Sequence, residues 1–143
     1  MNTAVLKTPA AIGDTLLRVA LGIMFIAHSV VLKYFTFTLA GTAQYFASIG
    51  LPSSLAYVVF ALEAIGGVLL VLNIGTRWVA LGLVPVLIGA AWVHVGNGWV
   101  FSAPNGGWEY PLFLIVISVV VALQAPHATI SQGSSRSPSG GGN

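Results

Sequence analysis

The chain has 143 residues, 57% hydrophobic and 6% charged, with a net charge of +2 and no cysteine. A soluble domain carries about 25% charged residues, so so few charged side chains at a mean hydropathy of +0.94 leave membrane residence as the reading. The charge is too small and too scattered for nucleic-acid binding, and the missing cysteines exclude disulfide exchange, thiolate metal sites and iron–sulfur ligation by this chain alone.

Residues 1–14 read as a flexible lead-in, with Asp14 as N-cap and Arg18 one turn inside. Thr15–Leu32 is the first apolar span. A signal peptide is the competing reading, but no small-x-small cleavage site follows, and His28 and Lys33 suit a retained helix better. Leu39, Ala43, Tyr45, Phe46 and Ile49 form a stripe that predicts a short amphipathic helix at the interface over Leu39–Ile49. Gly50-Leu51-Pro52-Ser53 ends it, with Ser53 or Ser54 capping the second span, Leu55–Leu72.

Asn73–Thr76 is a tight turn into the third span, Arg77–Val95, where Pro85 predicts a kink that opens space beside the second span. Gly66, Gly67, Gly82 and Gly89 offer close backbone approach. Gly96–Gly107 holds two Asn-Gly pairs around Trp99-Val100-Phe101 and reads as a small hairpin or an irregular re-entrant loop. Trp92, Trp99, Trp108 and Tyr110 gather there as an interfacial aromatic belt. Pro111 falls in the first turn of a fourth span that runs to Gln124. Residues 126–143 form a Ser/Gly-rich tail, expected to be disordered.

The fold class is therefore an all-α membrane protein: a four-helix transmembrane bundle over 15–125 with an interfacial helix between its first two spans. Lys7, Arg18, Arg77 and Arg136 fall on one side and Lys33 on the other, which places both termini in the cytoplasm.

Glu63 organises the rest. A carboxylate in the middle of an apolar span costs roughly 2.5–3.5 kcal/mol on insertion scales unless protonated, paired or facing a wet cavity. Lys33 and Arg77 are the candidate partners. At ~1.5 Å rise per residue, Glu63 lies ~15 Å below the outer start of its span. His28, His94 and Glu109 come from the other three spans, near the same end. The reading assigns catalytic work to Glu63, His94 and Glu109, and cofactor contact to His28, Lys33, Trp108 and Tyr110. No His-x-x-x-His or Glu-x-x-His spacing supports a metal, whereas a quinone site asks only for a hydrogen-bond donor and an acid beside an apolar slot. The plainer readings are an interfacial histidine for His28 and His94, and a first-turn acid favoured by the helix dipole for Glu109.

Several stretches carry a resemblance. They are Leu17-Arg18-Val19-Ala20-Leu21-Gly22 with Phe25 and His28; Gly41-Thr42-Ala43 with Tyr45-Phe46-Ala47-Ser48-Ile49-Gly50-Leu51-Pro52; Glu63-Ala64-Ile65-Gly66-Gly67 with Gly75-Thr76-Arg77; His94; and Asn105-Gly106-Gly107-Trp108-Glu109-Tyr110. In this order the chain resembles the DoxX family from Thr15 to Gln124. It departs in Ser29, where the family usually has glycine after the first histidine. The resemblance implies a four-helix protein of the bacterial inner membrane. A subunit associated with thiosulfate:quinone oxidoreductase names part of the group, and others attach to oxidative-stress complexes. It implies a membrane subunit of a quinone-linked redox system, with other membrane subunits and the lipid bilayer as partners. The alternative is a non-enzymatic structural or assembly subunit of a larger membrane complex. It transfers no catalytic residue, so the nominations above rest on the residues alone.

Overall fold

The computed structural model describes residues 8–126; the first residues of the lead-in, Arg136 and the Ser/Gly-rich tail lie outside the described residues. The all-α membrane architecture expected from composition is what the chain forms. Helix α1 spans Pro9–Ile26 and starts earlier than Asp14 predicts. Thr8 is extended and its hydroxyl accepts from the Ala11 N–H at 3.2 Å, while Pro9, with no N–H to satisfy, opens the first turn. Asp14 is thereby enclosed within the helix rather than capping it.

Beyond Ile26 the helix continues as a π-helical segment, Ala27–Thr36. The Phe37 N–H donates to the Leu32 carbonyl, five residues back, at 2.8 Å. At the changeover the buried Ser29 hydroxyl donates to the Phe25 carbonyl at 2.8 Å and also contacts that of Ile26 at 3.1 Å. A hydroxyl competing for carbonyls within a helix loosens the regular ladder, and π segments are rare and frequent at functional sites.

Helix α2, Leu39–Ser48, is capped by the Thr38 hydroxyl and lies against α3 and the π segment. Helix α3 spans Ser53–Val71 behind Pro52, with neither serine hydroxyl making the cap bond. Helix α4, Thr76–His94, carries Pro85 inside a continuous helix. A single 3-10 turn, Val95–Asn97, leads into an irregular loop, and helix α5 spans Glu109–Gln124. The loop is not a hairpin: no strand forms among the described residues. It closes on itself where the Trp108 and Glu109 N–H groups donate to the Gly98 and Trp99 carbonyls at 3.2 and 3.1 Å.

The first span including its π segment has 28 residues, and α3 has 19. These lengths meet a hydrocarbon core ~30 Å thick at ~1.5 Å per residue. Among the described residues three helices are long and apolar enough to cross a membrane, and α5, with 16 residues, is the short fourth member. Their outer faces present Trp78 (76% exposed) and Leu123 (75%), side chains that lipid solvates and water would not.

The chain alternates direction through α1, α3, α4 and α5. The α4–α5 seam is the most extensive, α1–α3 follows, and α1–α5 is the least extensive of the four that close the ring. Leu21 and Phe25 of α1, Leu70 of α3, Leu83 and Leu87 of α4, and Leu114 and Val121 of α5 share one core. Helices α1 and α3 touch backbone to backbone at Gly22 and Gly67, where a Cβ on either would lie 2.7 Å from the other's carbonyl oxygen. Without a hydrophobic force between helices in lipid, such close approach is what van der Waals packing requires. Gly66 makes room for Leu83 of α4. Gly82 and Gly89 are not contact points, since a Cβ there would meet nothing within 4 Å.

At the end opposite Lys33, two arginines satisfy helix termini. The Arg18 guanidinium donates to the Leu70 and Val71 carbonyls at the end of α3, and Arg77 donates to the Ala125 carbonyl at the end of α5, at 2.8 Å. A cation at these ends complements the helix dipole as well as the orphaned carbonyls, so these residues do more than anchor the membrane edge.

Candidate functional site

The polar residues of the Lys33 end form two groups. In the first, the π segment carries Lys33 inward to α3, where its ammonium donates to Glu63 Oε2 at 2.5 Å. The pair is inside the bundle, with side chains 16% and 8% exposed for Lys33 and Glu63. Thr42 of α2 contacts the Lys33 carbonyl at 3.5 Å, close to the limit for a hydrogen bond. Burying an ion pair is costly, and removing one partner strands the other charge.

The second group lies around the start of α5. Glu109, its first residue, accepts the Phe101 N–H on Oε1 at 2.8 Å, leaving Oε2 for another partner. A shallow, open recess of about 450 Å³ lies beside it, lined by Trp99, Phe101, Tyr110, Leu112, Phe113 and Val116, of which all but Tyr110 are exposed. Trp99 is held edge-on by Trp108, ring centres 4.5 Å apart. Tyr110 turns towards α1: its hydroxyl donates to Met24 Sδ, and the His28 ring stacks on its own at 6.0 Å. A second, narrower hollow of about 190 Å³ lies between α1 and α5, and Tyr110 and Phe113 line both. His94 ends α4; its Nδ1 pairs with the Ala90 carbonyl at 2.7 Å, and its ring lies beside Gly106 of the loop.

The structure thus joins Lys33 to Glu63 and His28 to Tyr110, and sets Trp108 behind the wall that Glu109 and Tyr110 share. Among the described residues no hydrogen bond or ion pair joins Glu63 to His28, His94 or Glu109, and no three His, Asp or Glu side chains assemble as a metal-binding group. The sequence reading missed Trp99, Phe101, Leu112, Phe113 and Val116 as lining residues. Of these only Phe113 lies on a helical stripe, Tyr110, Phe113, Leu114, Ile117, hidden in a span apolar on every side.

Residues 13–96 match the DoxX family. The chain is similar to a Bacillus subtilis (strain 168) protein named "Putative oxidoreductase CatD", 49% identical over 113 residues that make up 78% of each chain. No solved structure matches it. The family match over more than half of the chain and the similarity to the Bacillus protein show that the chain belongs to the DoxX family.

Proposed function

We propose that the protein is a membrane subunit of a quinone-linked redox system and that its hollow beside α5 seats the quinone ring. The observation that carries this reading is the hollow itself: about 450 Å³, walled by aromatic and aliphatic side chains, with the Glu109 carboxyl as its one charged group. Small-molecule sites combine apolar walls with a few placed polar groups, and the lining of this open recess has that composition. A quinone is a flat apolar ring with two carbonyl oxygens. Trp99, Phe101 and Phe113 offer faces and edges to the ring, and Glu109 Oε2, when protonated, donates to one oxygen. Reduction to quinol consumes two electrons and two protons. Glu109 delivers one proton at that oxygen and is reloaded from the interface; the second oxygen takes its proton from water. The electrons are assigned to a redox-active partner subunit. Lys33–Glu63 and His94 are the alternative proton-handling groups. The oxidoreductase name of the Bacillus relative supports a redox role, and the arginines at the other end support a bacterial inner-membrane orientation with that end cytoplasmic.

The test is binding of a tail-less quinone to the purified protein in nanodiscs, read by quenching of tryptophan fluorescence. Saturable quenching is expected in the wild type. Val116→Phe, which crowds the recess, should weaken it about tenfold or more, equivalent to ~1.4 kcal/mol, while Gly82→Ala, where an added Cβ meets nothing within 4 Å, leaves it within about twofold. Quenching that never saturates, or that ignores Val116→Phe, would contradict the reading.

A further inference from the structure

Within the loop at residues 98–109, Gly107 alone is buried, and what covers it is backbone. A Cβ built on Gly107 would collide with the Trp99 and Val100 carbonyl oxygens and stand 2.5 Å from the Val100 carbonyl carbon. No other described glycine is held so closely. The requirement is for space, not for a left-handed backbone, which Gly98 and Gly106 supply. Both carbonyls lead to Glu109. That of Trp99 accepts the Glu109 N–H at 3.1 Å. That of Val100 belongs to the peptide unit whose other side is the Phe101 N–H, and this N–H donates to Glu109 Oε1 at 2.8 Å. A trans peptide is a rigid plane with its C=O and N–H on opposite sides. Seating the Val100 oxygen against Gly107 therefore aims the Phe101 N–H the other way, at the carboxyl. The Ala103 N–H donates to the same Val100 oxygen at 3.0 Å and holds the plane there.

We propose that Gly107 is a positioning residue for Glu109: by leaving room for the Val100–Phe101 peptide it fixes Oε1, so that Oε2 is left to face the recess. Gly107 touches no ligand and acts only through that peptide. A side chain at this position pushes the plane back by roughly 1 Å, which stretches the bond from the Phe101 N–H past hydrogen-bond length and frees the carboxyl to turn. The same shift moves the backbone that carries Trp99 and Phe101, which line the recess together with Glu109. The consequence for quinone binding rests on the reading given under Proposed function; the hold on the carboxyl does not.

The experiment compares the wild type with Gly107→Ala and with Gly96→Ala, a nearby change where an added Cβ meets nothing within 4 Å. Two quantities are read in nanodiscs: the infrared stretch of the Glu109 carboxyl, identified by its loss in Glu109→Gln, and the affinity for a tail-less quinone. Gly107→Ala is expected to shift the stretch and to weaken binding about fivefold or more, while Gly96→Ala leaves the stretch in place and the affinity within about twofold. Should Gly107→Ala fold poorly, replacing the Phe101 amide by an ester removes the N–H, keeps every side chain and is expected to shift the same stretch. A lowered melting temperature with an unmoved stretch would make Gly107 a packing residue and overturn the proposal, as would an unmoved stretch in the ester. A shifted stretch in a protein whose wild type binds no quinone would uphold the positioning role while the ring site falls.

Discussion

At the level of single residues, the chain resolves one costly placement by another. Glu63 cannot sit alone in an apolar helix, and the π segment delivers Lys33 to it. The need for a partner was legible in the sequence because the penalty for a lone acid is large. That Lys33 rather than Arg77 answers it was one of two options, decided by which end of the bundle each occupies. The contact between Tyr110 and Met24 was not legible, since a thioether is a weak acceptor that no pattern singles out. The ion pair makes a specific prediction. Glu63→Gln or Lys33→Met alone should destabilise the folded protein by about 3 kcal/mol, and the double variant by less than either, because it strands no charge. Unfolding equilibria of the single and double variants in detergent measure this. A double variant as unstable as the sum of the singles would show that the two side chains act independently.

Among the helices, span existence and order were readable from apolar runs of membrane length, and α2 was readable from its stripe. Boundaries followed local chemistry that the runs conceal. Thr8 and Pro9 begin α1 ahead of Asp14, and the Ser29 hydroxyl accompanies a changeover to π-helix that periodicity cannot announce. Glycine spacing was only half informative. Gly67 lies against the α1 backbone at Gly22, whereas Gly82 touches nothing, a distinction that depends on which face each helix turns inward. Gly67→Val should therefore separate α1 from α3 and lower the melting temperature by several degrees, a change of about 1–3 kcal/mol. Gly82→Ala should stay within about 0.5 kcal/mol. Equal melting temperatures for the two variants would remove the glycine crossing from the account.

Across the whole molecule, the polar groups separate along the bundle axis. One end carries Arg18 and Arg77 on helix carbonyls; the other carries the ion pair, the aromatic loop and the hollow. Helix depth in the sequence puts the titratable residues near one end. It could not tell that they divide into two groups, because depth says nothing about rotation around each helix axis. The absence of native cysteine makes the orientation directly testable. Ile74→Cys, in the turn between α3 and α4, should react with an impermeant thiol reagent from the cytoplasmic side, and Ser102→Cys, in the aromatic loop, only from the opposite side.

The measurement that bears most directly on the ring site is photolabelling with a quinone that carries its reactive group on the ring, followed by peptide mapping. The label is expected within 99–116, and it should be displaced by unmodified quinone and reduced in Val116→Phe. Label spread evenly over the lipid-facing helices, or concentrated beside Glu63 instead, would contradict the account.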